Sequence, residues 1–103
     1  MAWASAGILT NPATDAIMAD SGALAGGQSE VTVIVGGSVA AIYTIEHRNA
    51  ANSANVHSQV VANIINEAKQ YWLPGVDFAA GERIRVRLNA VVVGSLQASV
   101  FTF

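Results

Sequence analysis

The chain has 103 residues, of which 52% are apolar and 12% are charged. This length corresponds to one ordinary domain that buries roughly two-thirds of its unfolded surface around a single core, and it excludes a second domain or a large cofactor-binding unit. The net charge of −2 and the five Lys and Arg residues create no field to attract nucleic acid or anionic lipid. We therefore expect neither a nucleic-acid partner nor a membrane partner.

Cysteine is absent, which excludes disulfides, thiolate metal sites and cysteine nucleophiles. No apolar run approaches the roughly 18 residues of a membrane-spanning helix, and no basic residue precedes an apolar stretch at the N-terminus, so we expect no signal peptide. Charge is also low against the roughly 25% of a typical soluble domain. We expect part of the apolar surface to be buried against other chains.

Residues 1–27 show neither a helical nor a strand period. We expect an N-terminal arm with short turns or an edge strand here, ahead of a β-sandwich domain over residues 28–103. Within the arm, Thr14–Asp20 is compatible with a helical turn or with a short strand around Ile17. The apolar residues of the arm that we predict to dock on a partner are Trp3, Ile8 and Leu9.

The next segments are rich in β-branched residues, which favour strands. Glu30–Val35 and Ser38–His47 flank Gly36-Gly37, and this pattern predicts a hairpin with a tight glycine turn. The asparagine-rich Arg48–Asn55 is predicted to be a loop. Val56–Ile65 alternates as a strand does but also fits a helix, and its β-branched residues favour the strand.

A polar connection over Asn66–Gln70 leads to a short aromatic strand that stops at Pro74-Gly75. Tyr71 and Trp72 are neighbours on this strand, so they point to opposite faces of the sheet. One of the two rings can fill the core while the other remains for a partner, although both could be core residues at the edge of a sandwich.

Glu82–Leu88 alternates without a break and places Arg83, Arg85 and Arg87 on one sheet face. The row is compatible with ion pairs within or between chains, with a solvated face, or with phosphate contacts. Ser95–Phe103 alternates again, and we expect this strand to tie the C-terminus into the sheet. The candidate interface residues are Tyr71, Trp72, Arg83, Arg85, Arg87, Phe101 and Phe103.

Six or seven short strands with frequent turns and no long helix predict an all-β protein, an antiparallel β-sandwich or barrel. The residues that could support chemistry are few. His47 and His57 could face each other across the loop, and with Glu46 they could bind zinc or iron. Glu46 and His47 are adjacent on a strand, however, and point to opposite faces. We therefore expect no metal site, no cofactor and no catalytic activity, with the two histidines hydrogen-bonded at a loop or interface.

Phe78–Leu88 followed by Gly94–Phe103 resembles the last two strands of small jelly-roll domains of the tumour-necrosis-factor/C1q type, which carry an L-x-x-G-D-x-I/V-x-V element. Phe78 replaces the usual Leu, and Glu82 replaces the usual Asp. Small virion proteins of tailed phages have the same arrangement, and Asp20–Gly27 and Glu46–Asn52 also look like phage structural proteins.

This resemblance implies a jelly-roll homotrimer that decorates the virion's capsid surface as a cement protein. Its partner would be the major capsid protein, and it would tie capsomers together, often through a terminal arm. A head-tail, tail or head-fibre component is the nearest alternative. A lectin-like module that stacks Tyr71 or Trp72 on a sugar is a further alternative, and an enzyme or metal protein using His47 and His57 is the third.

Overall fold

The computed structural model describes residues 2–103, which form two antiparallel β-sheets packed face to face as a sandwich. The strands are β1 (Ala2–Ala4), β2 (Leu9–Thr10), β3 (Ile17–Asp20), β4 (Glu30–Gly37), β5 (Ala41–Arg48), β6 (Asn55–Asn63), β7 (Ala68–Pro74), β8 (Arg83–Leu88) and β9 (Ser95–Thr102). Sheet A has the order β1-β9-β4-β7, with β2 also paired to β9, and sheet B has the order β3-β8-β5-β6. No segment of the described chain forms a helix long and apolar enough to cross a membrane. The all-β sandwich prediction is confirmed.

The core lies between the sheets and follows the alternation of the two central strands. The inward residues of β4 and β8 are each exposed by 2% or less, and the residues that lie between them along each strand are half-buried. Because successive side chains point to opposite faces, each strand contributes one apolar row to the core. The inward residues of these strands are Val31, Val33, Val35, Ile84, Val86 and Leu88.

The predicted hairpin around Gly36-Gly37 is wrong. β4 pairs with β7 and β9 in sheet A, whereas β5 pairs with β6 and β8 in sheet B. The two glycines end β4 and do not have positive φ. They are needed because neighbours come close: a Cβ on Gly36 would lie 2.9 Å from Ala68 Cα, and a Cβ on Gly37 would collide with the carbonyl oxygen of Ser95.

Two ambiguous segments are strands. Ile17–Asp20 forms β3, which agrees with the strand alternative, and Asn55–Asn63 forms β6. The polar connection predicted over Asn66–Gln70 is wrong in its second half, because β7 already begins at Ala68. β7 pairs with β4 from Ala68 onward, where Ala68 lies opposite Gly36, so the strand begins before Tyr71 and Trp72.

The N-terminal segment adds strands to both sheets. β1 and β2 pair with β9, and β3 pairs with β8. Leu9 is half-buried against the core, whereas Trp3 and Ile8 are exposed. Met1, the first residue of the predicted arm, lies outside the described residues. The docking residues proposed from the sequence therefore divide into Leu9, which packs inward, and two residues that face solvent.

Candidate interaction surface

The outer face of sheet A carries a row of side chains that crosses four strands. Trp3 lies opposite Phe101, which lies opposite Thr32, and Thr32 lies opposite Trp72. Both tryptophans are 59% exposed. Three strand spacings place their Cα atoms roughly 14 Å apart. We call this surface, comprising the outward residues of β1, β9, β4 and β7, the aromatic face.

Apart from its aromatic residues, the aromatic face has mostly small side chains and almost no charge. Ile34 lies between Ser99 and Gln70 in the next row. Because Gly36 and Ala68 leave little side chain beyond this row, a shallow groove of about 350 Å³ opens there. Of the described strand residues that point outward here, only Glu30 is charged. The residues that line the groove are Ile8, Ile34, Gly36, Gly37, Ala68, Ser95, Leu96, Gln97 and Ser99.

The two neighbouring aromatic residues of β7 point to opposite sides, as the sequence predicts. Trp72 lies on the aromatic face, and Tyr71 reaches across to the edge of sheet B. The Tyr71 hydroxyl donates to the Ala62 carbonyl oxygen at 2.7 Å and accepts from the Ala62 N–H at 3.1 Å. Tyr71 therefore links the two sheets, and its ring is not free to stack on a ligand. Near the C-terminus, Phe101 is half-buried and Phe103 is 48% exposed.

The arginine row lies on the outer face of sheet B, where each guanidinium group is partly buried and paired within the chain. Of the alternatives open from the sequence, ion pairing within the chain is the one that this geometry favours. Each arginine meets an acid from another segment, so the row links β8 to its neighbours. The pairs are Arg83 Nη1 with Asp20 Oδ2 at 3.4 Å, Arg85 Nε with Glu46 Oε1 at 2.7 Å, and Arg87 Nη1 with Asp15 Oδ1 at 2.8 Å.

Glu46 is the centre of this network and is only 4% exposed. Its Oε1 lies 3.5 Å from Arg87 Nε, and its Oε2 accepts a hydrogen bond from Asn55 Nδ2 at 3.0 Å. Burial alone would raise the pKa of Glu46. The hydrogen bonds from Asn55 and Arg85 and the charges of Arg85 and Arg87 outweigh it, so the pKa is lowered.

The two histidines face each other across the β5–β6 ladder, as the sequence suggests. His47 pairs in register with His57, and both line a cavity of about 190 Å³ between β6 and β7. His47 is 5% exposed, and its ring centroid lies 4.2 Å from that of Phe78. Glu46 points to the opposite face and cannot join them. Within residues 2–103, no three His, Asp or Glu side chains lie close enough to hold a metal ion.

Glu82, the acidic residue of the jelly-roll-like motif, holds the turn before β8. Its Oε1 accepts from the Ala79 N–H at 2.7 Å and lies 3.0 Å from His47 Nε2. The hydrogen bond from Ala79 and the one from His47 together lower the pKa of Glu82. Gly81 precedes it with φ of +87°, a conformation that other residues rarely adopt. The glycine-acid pair is therefore explained by turn structure.

Sequence reasoning missed that the exposed aromatic residues form one row. Trp3 and Trp72 lie far apart in the chain, and they align only because β9 and β4 separate β1 from β7. The sequence signal for this row was the alternation of β9, which places Phe101 and its chain neighbour Val100 on opposite faces of the sheet.

No protein-family model matches the chain, and no curated protein matches it.

Proposed function

We propose that this protein is a non-enzymatic structural virion protein, a capsid decoration (cement) protein that acts as a jelly-roll homotrimer at junctions between capsomers. The strand order supports the jelly-roll part of the proposal. From β3 onward the chain passes between the two sheets at every connection except β5–β6, and each sheet contains four principal strands. Such a double-sheet arrangement is how jelly rolls protect their edges.

The observation that carries the proposal is the aromatic face. A tryptophan has up to about 250 Å² to bury, and each of the two indoles remains 59% exposed. About 150 Å² per indole is thus free to be covered, which corresponds to roughly 3–4 kcal/mol at 25 cal/mol per Å². Exposed aromatic groups on a surface with little charge are typical of the centre of a protein–protein interface.

Decoration would act by mass action. A chain that binds the assembled shell and not its separate capsomers stabilises the shell by a free energy that rises with the logarithm of its concentration divided by its Kd. Three linked copies would increase the effective affinity, because the second and third contacts become intramolecular. Since Glu30 is the only charged side chain of the aromatic face, we expect binding to change little with salt concentration.

The experiment compares Trp72→Ala with the matched control Val93→Ala, which removes an apolar side chain that is 82% exposed and lies outside the aromatic face. The measurements are mass in solution by sedimentation velocity and co-sedimentation with the undecorated shells of the parent virion. We expect a trimeric wild-type chain, shell binding weakened by about tenfold or more in Trp72→Ala, and an unchanged control. A wild-type monomer that does not bind shells would refute the proposal.

A small carbohydrate-binding module is the second candidate, and the surroundings of Trp72 favour it. Thr32 lies directly opposite this indole, and Gln70 lies two residues away on the same face. An indole flanked by hydroxyl and amide groups can stack on a sugar ring and bind its hydroxyl groups. Titration of tryptophan fluorescence with oligosaccharides tests this function. A monomer whose fluorescence change with saccharide disappears in Trp72→Ala would favour the module over the cement protein.

A further inference from the structure

The outer strand of sheet B, β6, is exposed to an unusual extent for a nine-residue strand. Within it, only Val61 and Asn63 are buried. Val60 is 64% exposed, and the outward Ile42 on β5 beside it is 54% exposed. A long, exposed edge strand presents a row of unpaired N–H and C=O groups and is a ready template for pairing with another chain.

The other sheet edges of the described chain carry features that prevent such pairing. β7 contains Lys69 and ends at Pro74, and β3 is a four-residue strand with a bulge between Ile17 and Ala19. β1 and β2 have only three and two residues. Charges, prolines, bulges and short length are the usual protections of an edge. β6 carries neither charge nor proline, since residues 49–66 include no Lys, Arg, Asp, Glu or Pro. Its one register shift lies at the Asn55 end, so the ladder from His57 to Asn63 is regular.

The free backbone groups of β6 can be assigned from the Tyr71 contact. Tyr71 binds the N–H and C=O of Ala62, so these groups point away from β5. In an antiparallel ladder the direction alternates along the strand. Ser58 and Val60 therefore also direct their N–H and C=O groups to the open edge, while Val61 and Gln59 bond to β5.

We propose that β6 is an assembly edge that pairs in antiparallel orientation with β6 of a second copy of this chain. Antiparallel pairing of a strand with itself is two-fold symmetric, so every free donor of one copy meets an acceptor of the other. The lack of charge over residues 49–66 lets two copies approach without repulsion. The N–H and C=O groups of Ala62 already bind Tyr71, so pairing uses the groups of Ser58 and Val60. The two-fold axis therefore lies at Ser58 or at Gln59. This contact does not depend on the proposed capsid function, and within that proposal it would join one trimer to another, because a two-fold contact cannot close a ring of three.

Cysteine scanning tests the pairing, because the chain has no cysteine of its own. Facing residues of an antiparallel pair have Cα atoms about 4.5–5.5 Å apart, which suits a disulfide. Under mild oxidation we expect rapid disulfide dimerisation of either Ser58→Cys or Gln59→Cys, according to the position of the axis. The control Val93→Cys is more exposed but lies away from β6 and should cross-link slowly. Equal, slow cross-linking of all three variants would overturn the inference.

Two further variants measure the contact without a covalent bond. Ser58→Pro removes an N–H that faces the open edge and leaves the β5 ladder intact. Val60→Lys places two cations near the axis, and Val93→Lys is its matched control. Sedimentation at increasing concentration should show self-association weakened about tenfold or more by the two β6 variants and unchanged in the control. Association that persists in both variants would refute β6 pairing and would show that copies of the chain associate through another surface.

Discussion

Replacing Glu46 by Gln removes the charge that holds Arg85 and Arg87 while it preserves the shape of the side chain. Breaking a fully buried ion pair costs about 3–5 kcal/mol, because an uncompensated charge remains. Here the side chains of Arg85 and Arg87 are 18% and 26% exposed, and Arg87 also contacts Asp15. Solvent and Asp15 reduce the cost, and we expect the free energy of unfolding to fall by about 2 kcal/mol.

Urea denaturation at a fixed chain concentration measures this loss. The midpoint should fall by roughly 1–2 M with an unchanged slope, and the melting temperature should fall by roughly 8–16 °C. The matched control is Glu30→Gln, which makes the same chemical change at a half-buried carboxylate that has no ion pair within the described chain. We expect the control to remain within about 0.5 kcal/mol of the wild type.

A double-mutant cycle isolates the pair itself. Arg85→Met should destabilise the wild type more than it destabilises the Glu46→Gln variant, because in that variant Arg85 has already lost its charged partner. If Glu46→Gln and Glu30→Gln lose the same stability, or if the two changes in the cycle add without coupling, the idea that Glu46 organises the arginine row is wrong.

Three further predictions concern stability. The pKa values of Glu46 and Glu82 lie below the usual 4.5. The stabilisation that these two carboxylates provide is therefore present above pH 4.5 and is lost as the pH falls below it. The unfolding free energy, measured down to about pH 3, should decline, with a shallower slope in Glu46→Gln. Burial raises the pKa of Tyr43 to about 12, so its stabilisation is present below pH 10 and is lost between about pH 10 and 12. Tyr43→Phe should flatten that alkaline decline, and at pH 7 it should cost about 1–3 kcal/mol because Asn63 Oδ1 loses the hydroxyl that donates to it at 2.7 Å. Gly37→Ala should cost about 2 kcal/mol or more in a urea titration, since its Cβ would meet a backbone carbonyl of β9; a variant as stable as the wild type would contradict the close packing of β4.

Part of the candidate surface could be predicted from local pattern. The alternation around Tyr71 and Trp72 correctly separated an outward ring from an inward one, and the alternation of β8 correctly placed the three arginines on one face. The acids that bind those arginines could not be identified, because Asp15, Asp20 and Glu46 come from other strands and loops. Ion pairing across a sheet depends on which strands are neighbours, and alternation within a strand carries no information about that.

The class of the fold and the side to which most strand residues point follow from local sequence, because side-chain alternation and β-branched residues act over a few neighbouring positions. The pairing of the strands does not follow from local sequence, because it depends on contacts between distant segments. Gly36-Gly37 suits a hairpin turn and a closely packed strand end equally well, and β4 in fact pairs with β7 and β9. The alignment of Trp3 with Trp72 and the free edge of β6 likewise arise from contacts between distant segments, whose geometry is established only when the two sheets close over a common core.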